Sequence, residues 1–191
     1  DLKLSRGLGD VYKRQVYGVD IKIKDDEGND LPRDGKTAGN LWVKGPWICK
    51  SYMNIPESDV HQADGWFLTG DVANIDQDGY MQITDRVKDV IKSGGEWIST
   101  IEIENITVAH PKVKEAAVIG VKHKKWDERP LLLVVKNEEV SKEQIYEFLF
   151  GKIAKWWIPD DIVFLSELPH TATGKIRKVD LKTKYLNYLI N

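Results

Sequence analysis

The sequence has a single cysteine, no apolar run long enough to cross a membrane, and no marked excess of either charge. Because Cys49 is alone, an intrachain disulfide and a cysteine-based metal cluster are excluded. The longest apolar run, residues 131–135, has the length of a buried strand. The 28 basic and 30 acidic residues are in near balance, which argues against a nucleic-acid-binding protein.

These features predict a soluble protein without a transmembrane segment. The amino-terminal end also lacks the apolar stretch of a secretory signal, so we expect a cytoplasmic location. Hydrophobic residues make up 41% of the chain, which is sufficient for a packed core.

The chain changes character at residues 85–89, where a charged run separates two differently patterned parts. Residues 16–84 contain short alternating segments and hairpin signals at Asp64-Gly65 and Asp78-Gly79, which predict an antiparallel sheet or partial barrel. Residues 90–191 mix strand and helix signals and predict a small mixed-sheet α/β lobe. The fold class is therefore expected to be α+β. Residues 1–15 show no periodicity and are left unassigned, as a disordered or non-native segment.

Capping residues locate the helices of the second part. Ser99 or Thr100 predicts the start of a helix that continues to Val108. Ser141 and Gln144 have the spacing of a capping box. A basic, amphipathic helix is predicted over residues 179–189, and strands are predicted over residues 113–121, 131–135 and 162–165.

The first chemical motif is Gly-Trp-Phe-Leu-Thr-Gly-Asp at residues 65–71. It predicts a short strand that ends in a tight corner, where Gly70 turns the backbone and Asp71 presents a carboxylate. A carboxylate accepts two hydrogen bonds at once, which suits the paired hydroxyls of a ribose. Capping of the turn is the alternative role for Asp71.

The second motif covers residues 85–98 and joins the charged run to an apolar strand and a Ser93-Gly94-Gly95 turn. Glycine in such a turn lets the backbone approach a ligand closely. The alternative is a solvated linker followed by a structural hairpin, in which Trp97 is a packing residue.

The third motif is Pro-His-Thr-Ala-Thr-Gly-Lys at residues 169–175, followed by a basic helix. A glycine–lysine pair alone is a weak signal of chemistry, because an ordinary polar surface loop before a basic helix contains the same residues.

In this order, the three motifs resemble those of the adenylate-forming, AMP-binding enzyme family. The segment Lys-Ser-Gly-Gly-Glu-Trp-Ile-Ser at residues 92–99 is most similar to acyl-CoA ligases for medium- or long-chain fatty acids. The resemblance covers residues 16–191 and corresponds to the last third of a family enzyme. It implies that ATP converts a carboxylic acid into an acyl-adenylate, which then forms a thioester with coenzyme A.

The resemblance also implies a role for each candidate residue. The catalytic lysine would be Lys175, whose ammonium group would offset the repulsion between the two reacting anions. Contacts to ATP or AMP would come from Asp71, Asp85, Arg86, Lys88, Lys92 and Trp97, and Lys88 would also be the hinge about which a small domain swings. The loop that meets coenzyme A during thioester formation would be Ser93, Gly94, Gly95 and Glu96. No metal site is assigned, because His123 and His170 lack companions at metal-ligand spacing.

The sequence has no Ser/Thr/Gly-rich phosphate loop, so the family's large domain is represented only by its end, residues 16–84. Residues 85–89 would be the hinge and residues 90–191 the carboxyl-terminal domain. We expect the chain to need the missing amino-terminal domain and to be inactive alone. Mg2+ is expected to accompany ATP, with its ligand outside this chain.

Three alternatives remain open at this stage. The first is an adenylate-forming enzyme that uses another acid or another acceptor, as aryl-CoA ligases, luciferase-like enzymes and peptide-synthetase adenylation domains do. The second is a non-catalytic module that binds a nucleotide or coenzyme A. The third is a truncated gene product without a role of its own.

Overall fold

The computed structural model describes residues 17–54 and 60–190, together with the backbone of residues 12–14. The chain divides into two compact units, residues 1–88 and 89–191. Most of the unassigned segment, residues 1–11 and 15, lies outside the described residues.

The first unit is an open five-stranded antiparallel sheet with the strand order β1-β5-β4-β3-β2. Its strands are β1 (Tyr12–Arg14), β2 (Asp20–Lys24), β3 (Gly39–Lys44), β4 (Phe67–Ile75) and β5 (Tyr80–Arg86). Alternate residues of β2, β3 and β4, including Ile21, Ile23 and Leu41, form its small apolar core. The predicted antiparallel sheet is confirmed, and β1 adds a strand within the unassigned segment.

Strand β4 differs from the sequence prediction of a short strand that ends in a tight corner at Gly70. It runs without a break from Phe67 to Ile75, although Gly70 has a φ of +77°. The register shifts against both neighbouring strands in this region. Asp71 therefore lies in an irregular, bulged part of a strand and not at a turn, because the glycine absorbs the distortion while pairing continues on both sides.

The second unit is built on a mixed sheet. Its strands are β6 (Ile91–Ser93), β7 (Glu96–Ile98), β8 (Val113–His123), β9 (Asp127–Lys136) and β10 (Asp161–Leu165). Strand β9 pairs antiparallel with β8 and parallel with β10, and it meets the β6–β7 hairpin at one residue pair. The helices are α1 (Thr100–Val108), α2 (Lys142–Leu149) and α3 (Lys178–Tyr185), with a short 3₁₀ helix at Lys155–Trp157.

The apolar run of β9 is buried on both faces of this sheet. Leu132 and Val134 belong to one core cluster, which also contains Ile103 of α1 and Ile145 of α2. The alternate residues, among them Leu133, belong to a second cluster that contains residues of α3. Helices on both faces explain why β9 is a continuous apolar run and not an alternating one.

The predicted starts of α1 and α2 are confirmed. The Ser99 hydroxyl accepts a hydrogen bond from the backbone N–H of Glu102 at 3.2 Å. Ser141 and Gln144 form a reciprocal capping box with distances of 3.1 and 3.3 Å. Both caps satisfy backbone donors that an α-helix leaves unpaired at its start.

Helix α3 ends at Tyr185, four residues before the predicted end. Tertiary contacts hold the following turn, because the Leu186 carbonyl accepts from the backbone N–H of Lys122 at 2.9 Å and the Tyr188 hydroxyl donates to Asp161 at 2.8 Å. Partial burial raises the pKa of Asp161, but hydrogen bonds from Lys142, Tyr188 and the backbone of Ile162 outweigh this effect and hold the pKa below its usual range.

In the described part of the chain, no helix has both the length and the apolar character needed to cross a membrane.

Candidate functional site

The first group of predicted site residues lies where β4 and β5 pair beside the bulge. Asp71 is the cross-strand partner of Arg86, and the Arg86 Nε lies 2.9 Å from the Asp71 Oδ1. Asp85 is 1% exposed, and its carboxylate accepts a hydrogen bond from the backbone N–H of Arg86 at 2.7 Å. The Arg86 side chain remains 47% exposed, so a carboxylate and a guanidinium group are presented together at the surface of this unit.

Hydrogen bonds on both sides hold the backbone at Asp71. The Thr69 hydroxyl donates to the Leu41 carbonyl and accepts from the Asp71 N–H, each at 3.1 Å. The backbone N–H of Val87 donates to the Gly70 carbonyl at 3.0 Å. Lys88 follows in an exposed turn, at the point where the chain divides into its two units.

The second group is the β6–β7 hairpin of the second unit. Lys92 and Trp97 are cross-strand partners, and the ammonium nitrogen of Lys92 lies 5.3 Å from a ring centroid of Trp97. This distance is within the range of a cation–π contact. Both side chains are half-buried, so Trp97 is not a fully enclosed core residue. Gly94, Gly95 and Glu96 are exposed at the tip of the hairpin.

A buried network of hydrogen bonds and an ion pair holds the hairpin where its tip begins, at Ser93. Ser93 is fully buried and lies 3.3 Å from Nη1 of Arg129, which also forms an ion pair with Asp160 at 2.7 Å. The backbone N–H of Gly94 donates to the Trp126 carbonyl at 3.0 Å. The rings of Trp126 and Trp156 meet edge to face, with centroids 4.8 Å apart.

The sequence alone did not single out the two tryptophans of this network. Trp126 and Trp156 are thirty positions apart in a sequence with seven tryptophans. Only the packing shows that this pair lies under the glycine turn.

Replacing Gly94 with alanine is expected to lower the free energy of unfolding by about 1–2 kcal/mol. Gly94 has a φ of +59°, and an added Cβ would lie 2.9 Å from Cε3 of the Trp126 ring. The measurement is urea unfolding followed by far-UV circular dichroism. The matched comparison is the same substitution in a Trp126→Leu background, where the crowding is relieved. Equal losses in both backgrounds would show that the ring contact is unimportant.

Lys175 lies on the loop between β10 and α3 and is exposed. A tight hairpin presents it: the Thr171 backbone N–H donates to the Lys175 carbonyl at 2.8 Å, and the Lys175 N–H donates to the Thr171 hydroxyl at 3.1 Å. Gly174, with a φ of +79°, makes the turn just before the lysine. The loop backbone is therefore ordered, while the ammonium group extends toward solvent.

The predicted residues thus form three groups. Asp71, Asp85 and Arg86 lie together in the first unit. The hairpin from Lys92 to Trp97 and the Lys175 tip are separate features of the second unit. In the described residues, no three His, Cys, Asp or Glu side chains are placed to hold a metal ion.

Comparison with known proteins relates the chain to one group of enzymes. Residues 102–175 match the family described as AMP-binding enzyme C-terminal domain. The chain is 56% identical, over 92% of its length, to a 3-methylmercaptopropionyl-CoA ligase of Ruegeria lacuscaerulensis. It is 52% identical, over 93% of its length, to a medium-chain-fatty-acid–CoA ligase of Ectopseudomonas oleovorans.

The fold is also similar to solved structures. The crystal structure of ATP-bound MatB from Rhodopseudomonas palustris matches 92% of the chain with a TM-score of 0.80 and 34% identity. The match covers 36% of the MatB chain. The chain likewise spans about a third of the length of the curated relatives it matches, 33% in both cases above.

Proposed function

The chain belongs to the adenylate-forming, AMP-binding enzyme family, and from this premise we propose that it is the carboxyl-terminal third of an acid–thiol ligase. The complete protein would join a carboxylic acid to ATP, release pyrophosphate, and transfer the acyl group from the adenylate to coenzyme A. ATP, coenzyme A and the acid are its small-molecule substrates. Mg2+ would accompany ATP, with protein ligands outside this chain. A cytoplasmic location stays a prediction.

The observation that carries this proposal is the exposed Lys175 on an ordered, glycine-turned loop. When a carboxylate attacks the α-phosphate of ATP, two anions are brought together. An ammonium group that contacts both offsets their repulsion and stabilises the charge that develops on the leaving pyrophosphate. An exposed lysine at the tip of a hairpin can be presented to a ligand bound elsewhere, which suits this role.

Nucleotide binding is assigned to residues of both units, with the main contacts made by the first unit. The adjacent carboxylate of Asp71 and guanidinium of Arg86 supply acceptors for ribose hydroxyls and donors for a phosphate. Buried Asp85 would hold the backbone of Arg86 in place for this contact. Lys92 and Trp97, which are cross-strand neighbours, would approach the nucleotide from the second unit.

Thioester formation is assigned to the tip at residues 93–96. Two exposed glycines allow the backbone to lie close to the thiol-bearing arm of coenzyme A. The division of the chain after Lys88 supports a hinge over residues 85–89, with Lys88 as the pivot. Rotation of the second unit about this hinge would let Lys175 act in adenylate formation and residues 93–96 act in thioester formation.

We assign a medium- or long-chain aliphatic acid as the substrate class. The glycine-turn segment and the 52% identity to a medium-chain fatty-acid ligase support it. The 56% identity to a 3-methylmercaptopropionyl-CoA ligase supports a shorter, sulfur-containing aliphatic acid as the second candidate. A pyrophosphate-exchange panel of octanoate, palmitate, 3-methylmercaptopropionate and cinnamate, on the protein with its own upstream region, separates them. Preferred exchange with cinnamate would contradict both assignments.

The proposed activity is tested in a chimera in which this chain replaces the matching third of the Ruegeria lacuscaerulensis ligase. We expect the chimera to form an acyl-adenylate and then a thioester. Neither the isolated chain nor the isolated upstream region should do so, because each lacks part of the nucleotide site. Pyrophosphate exchange measures the first step and chromatography of the CoA thioester measures the second. A folded chimera without pyrophosphate exchange would refute the proposal.

A further inference from the structure

Lys178 is the first residue of α3 and follows Lys175 by three positions. Unlike Lys175, it points into the protein. Its ammonium nitrogen lies 2.7 Å from Oε1 of Glu104 and 2.7 Å from the hydroxyl of Thr100, both on α1. The side chains of Lys178 and Glu104 are only 14% and 16% exposed. This ion pair is therefore well shielded from water.

The same carboxylate links a third element to the pair. Oε1 of Glu104 accepts a hydrogen bond from the backbone N–H of Val118, in β8, at 2.6 Å. Removing one partner of a shielded pair leaves the other charge uncompensated, so this connection holds the start of α3 firmly. Lys178 thus joins α3 to α1 and to the central sheet.

The neighbouring ion pair at the start of α3 is of a different kind. Arg177 and Asp180 lie 3.3 Å apart, and their side chains are 50% and 43% exposed. Exposed pairs of this kind contribute little to rigidity because solvent screens them. Lys178 is therefore the charged residue near the start of α3 whose pairing restrains the adjacent loop.

The loop that carries Lys175 is fixed at its other end as well. Leu168, just before it, is 3% exposed and belongs to the core cluster shared with α3. The backbone N–H of Arg177 donates to the Pro169 carbonyl at 2.8 Å and closes the base of the loop. The orientation of the loop that carries Lys175 is thus set by Leu168 before the loop and by Lys178 after it.

We infer that Lys178, held by Glu104 and Thr100, is a positioning residue that sets the placement of Lys175 for acyl-adenylate formation. The inference rests on the proposed function of Lys175. Lys178 contacts no reacting group in this role. Its effect is confined to the first step, because Lys175 serves that step and residues 93–96 serve the second. A misplacement of about 1 Å is enough to slow a reaction step up to a hundredfold.

The test separates the two steps in the chimera. Lys178→Met is expected to reduce kcat for pyrophosphate exchange about 30-fold. Thioester formation from a supplied acyl-adenylate should change by less than about twofold. Lys178→Arg, which keeps the charge, should restore most of the first step. Glu104→Gln keeps the hydrogen-bonding shape and should reduce the first step about fivefold.

Lys184→Met is the matched control, since it makes the same substitution at an exposed position of the same helix. It should leave both steps unchanged. Equal losses in the two steps with Lys178→Met, or an unchanged first step, would overturn the inference. If circular dichroism shows that Lys178→Met does not fold, Glu104→Gln provides the test. A loss in the first step alone would support the inference, and equal losses in both steps or an unchanged first step would overturn it. If the unaltered chimera forms no adenylate, the proposed function itself fails and this inference fails with it.

Discussion

Lys175→Ala in the chimera is expected to reduce acyl-adenylate formation about a thousandfold. The substitution removes the positive charge that would offset the approach of the carboxylate to the α-phosphate. It leaves the loop intact, because the hydrogen bonds that shape the loop involve the backbone of Lys175 and not its side chain. Pyrophosphate exchange at saturating ATP and acid gives the magnitude.

The second step provides the internal control for this substitution. Thioester formation from a supplied acyl-adenylate should stay within about threefold of the unaltered chimera, because the proposed role of Lys175 is confined to the first step. Lys114→Ala, at an exposed position of β8, should affect neither step. A non-catalytic nucleotide- or CoA-binding module predicts instead that Lys175→Ala is silent in every assay. Unchanged pyrophosphate exchange would therefore reject the catalytic role of Lys175.

The second large effect is expected from Arg129→Met, which should lower the free energy of unfolding by about 3–5 kcal/mol. The Arg129 side chain is 8% exposed and pairs with Asp160 at 2.7 Å. Its Nη groups also donate to the carbonyls of Trp156 at 3.0 Å and Ile158 at 3.2 Å. Methionine fills similar space but leaves a carboxylate and these carbonyls without their donors.

Urea unfolding of the isolated chain measures this loss, and Arg177→Met is the matched control. Arg177 pairs with Asp180 at 3.3 Å in an arrangement about half exposed, so its replacement should lower the unfolding free energy by less than about 1 kcal/mol. Comparable losses for the two substitutions would show that the Arg129 network is not an anchor of the fold.

Features of the fold that depend on neighbouring residues were predictable from the sequence. Ser141 and Gln144 are three positions apart, so their capping box could be recognised without any tertiary information. Asp78-Gly79 likewise predicts the turn between β4 and β5, where Gly79 has a φ of +81°. Local hydrogen bonds and steric preferences determine such features.

The course of β4 and the end of α3 were not predictable in this way. Gly70 resembles a turn residue in the sequence, yet pairing with β3 and β5 keeps the strand continuous through it. The pattern over residues 179–189 suits a longer helix, but contacts to Lys122 and Asp161 replace its last turn. In both places, interactions with distant parts of the chain outweigh the local preference.

By itself, the sequence determined the order of the three motifs. It also predicted the residues that would carry the chemistry, above all Lys175, because each motif consists of adjacent residues. Only the tertiary structure decided which groups support them. Glu104 and Lys178 form an ion pair, and Arg129 reaches Ser93 and Asp160, across separations of many residues that no spacing rule encodes. These contacts depend on which faces of α1, α3 and β9 are buried, and burial is a property of the whole packed unit.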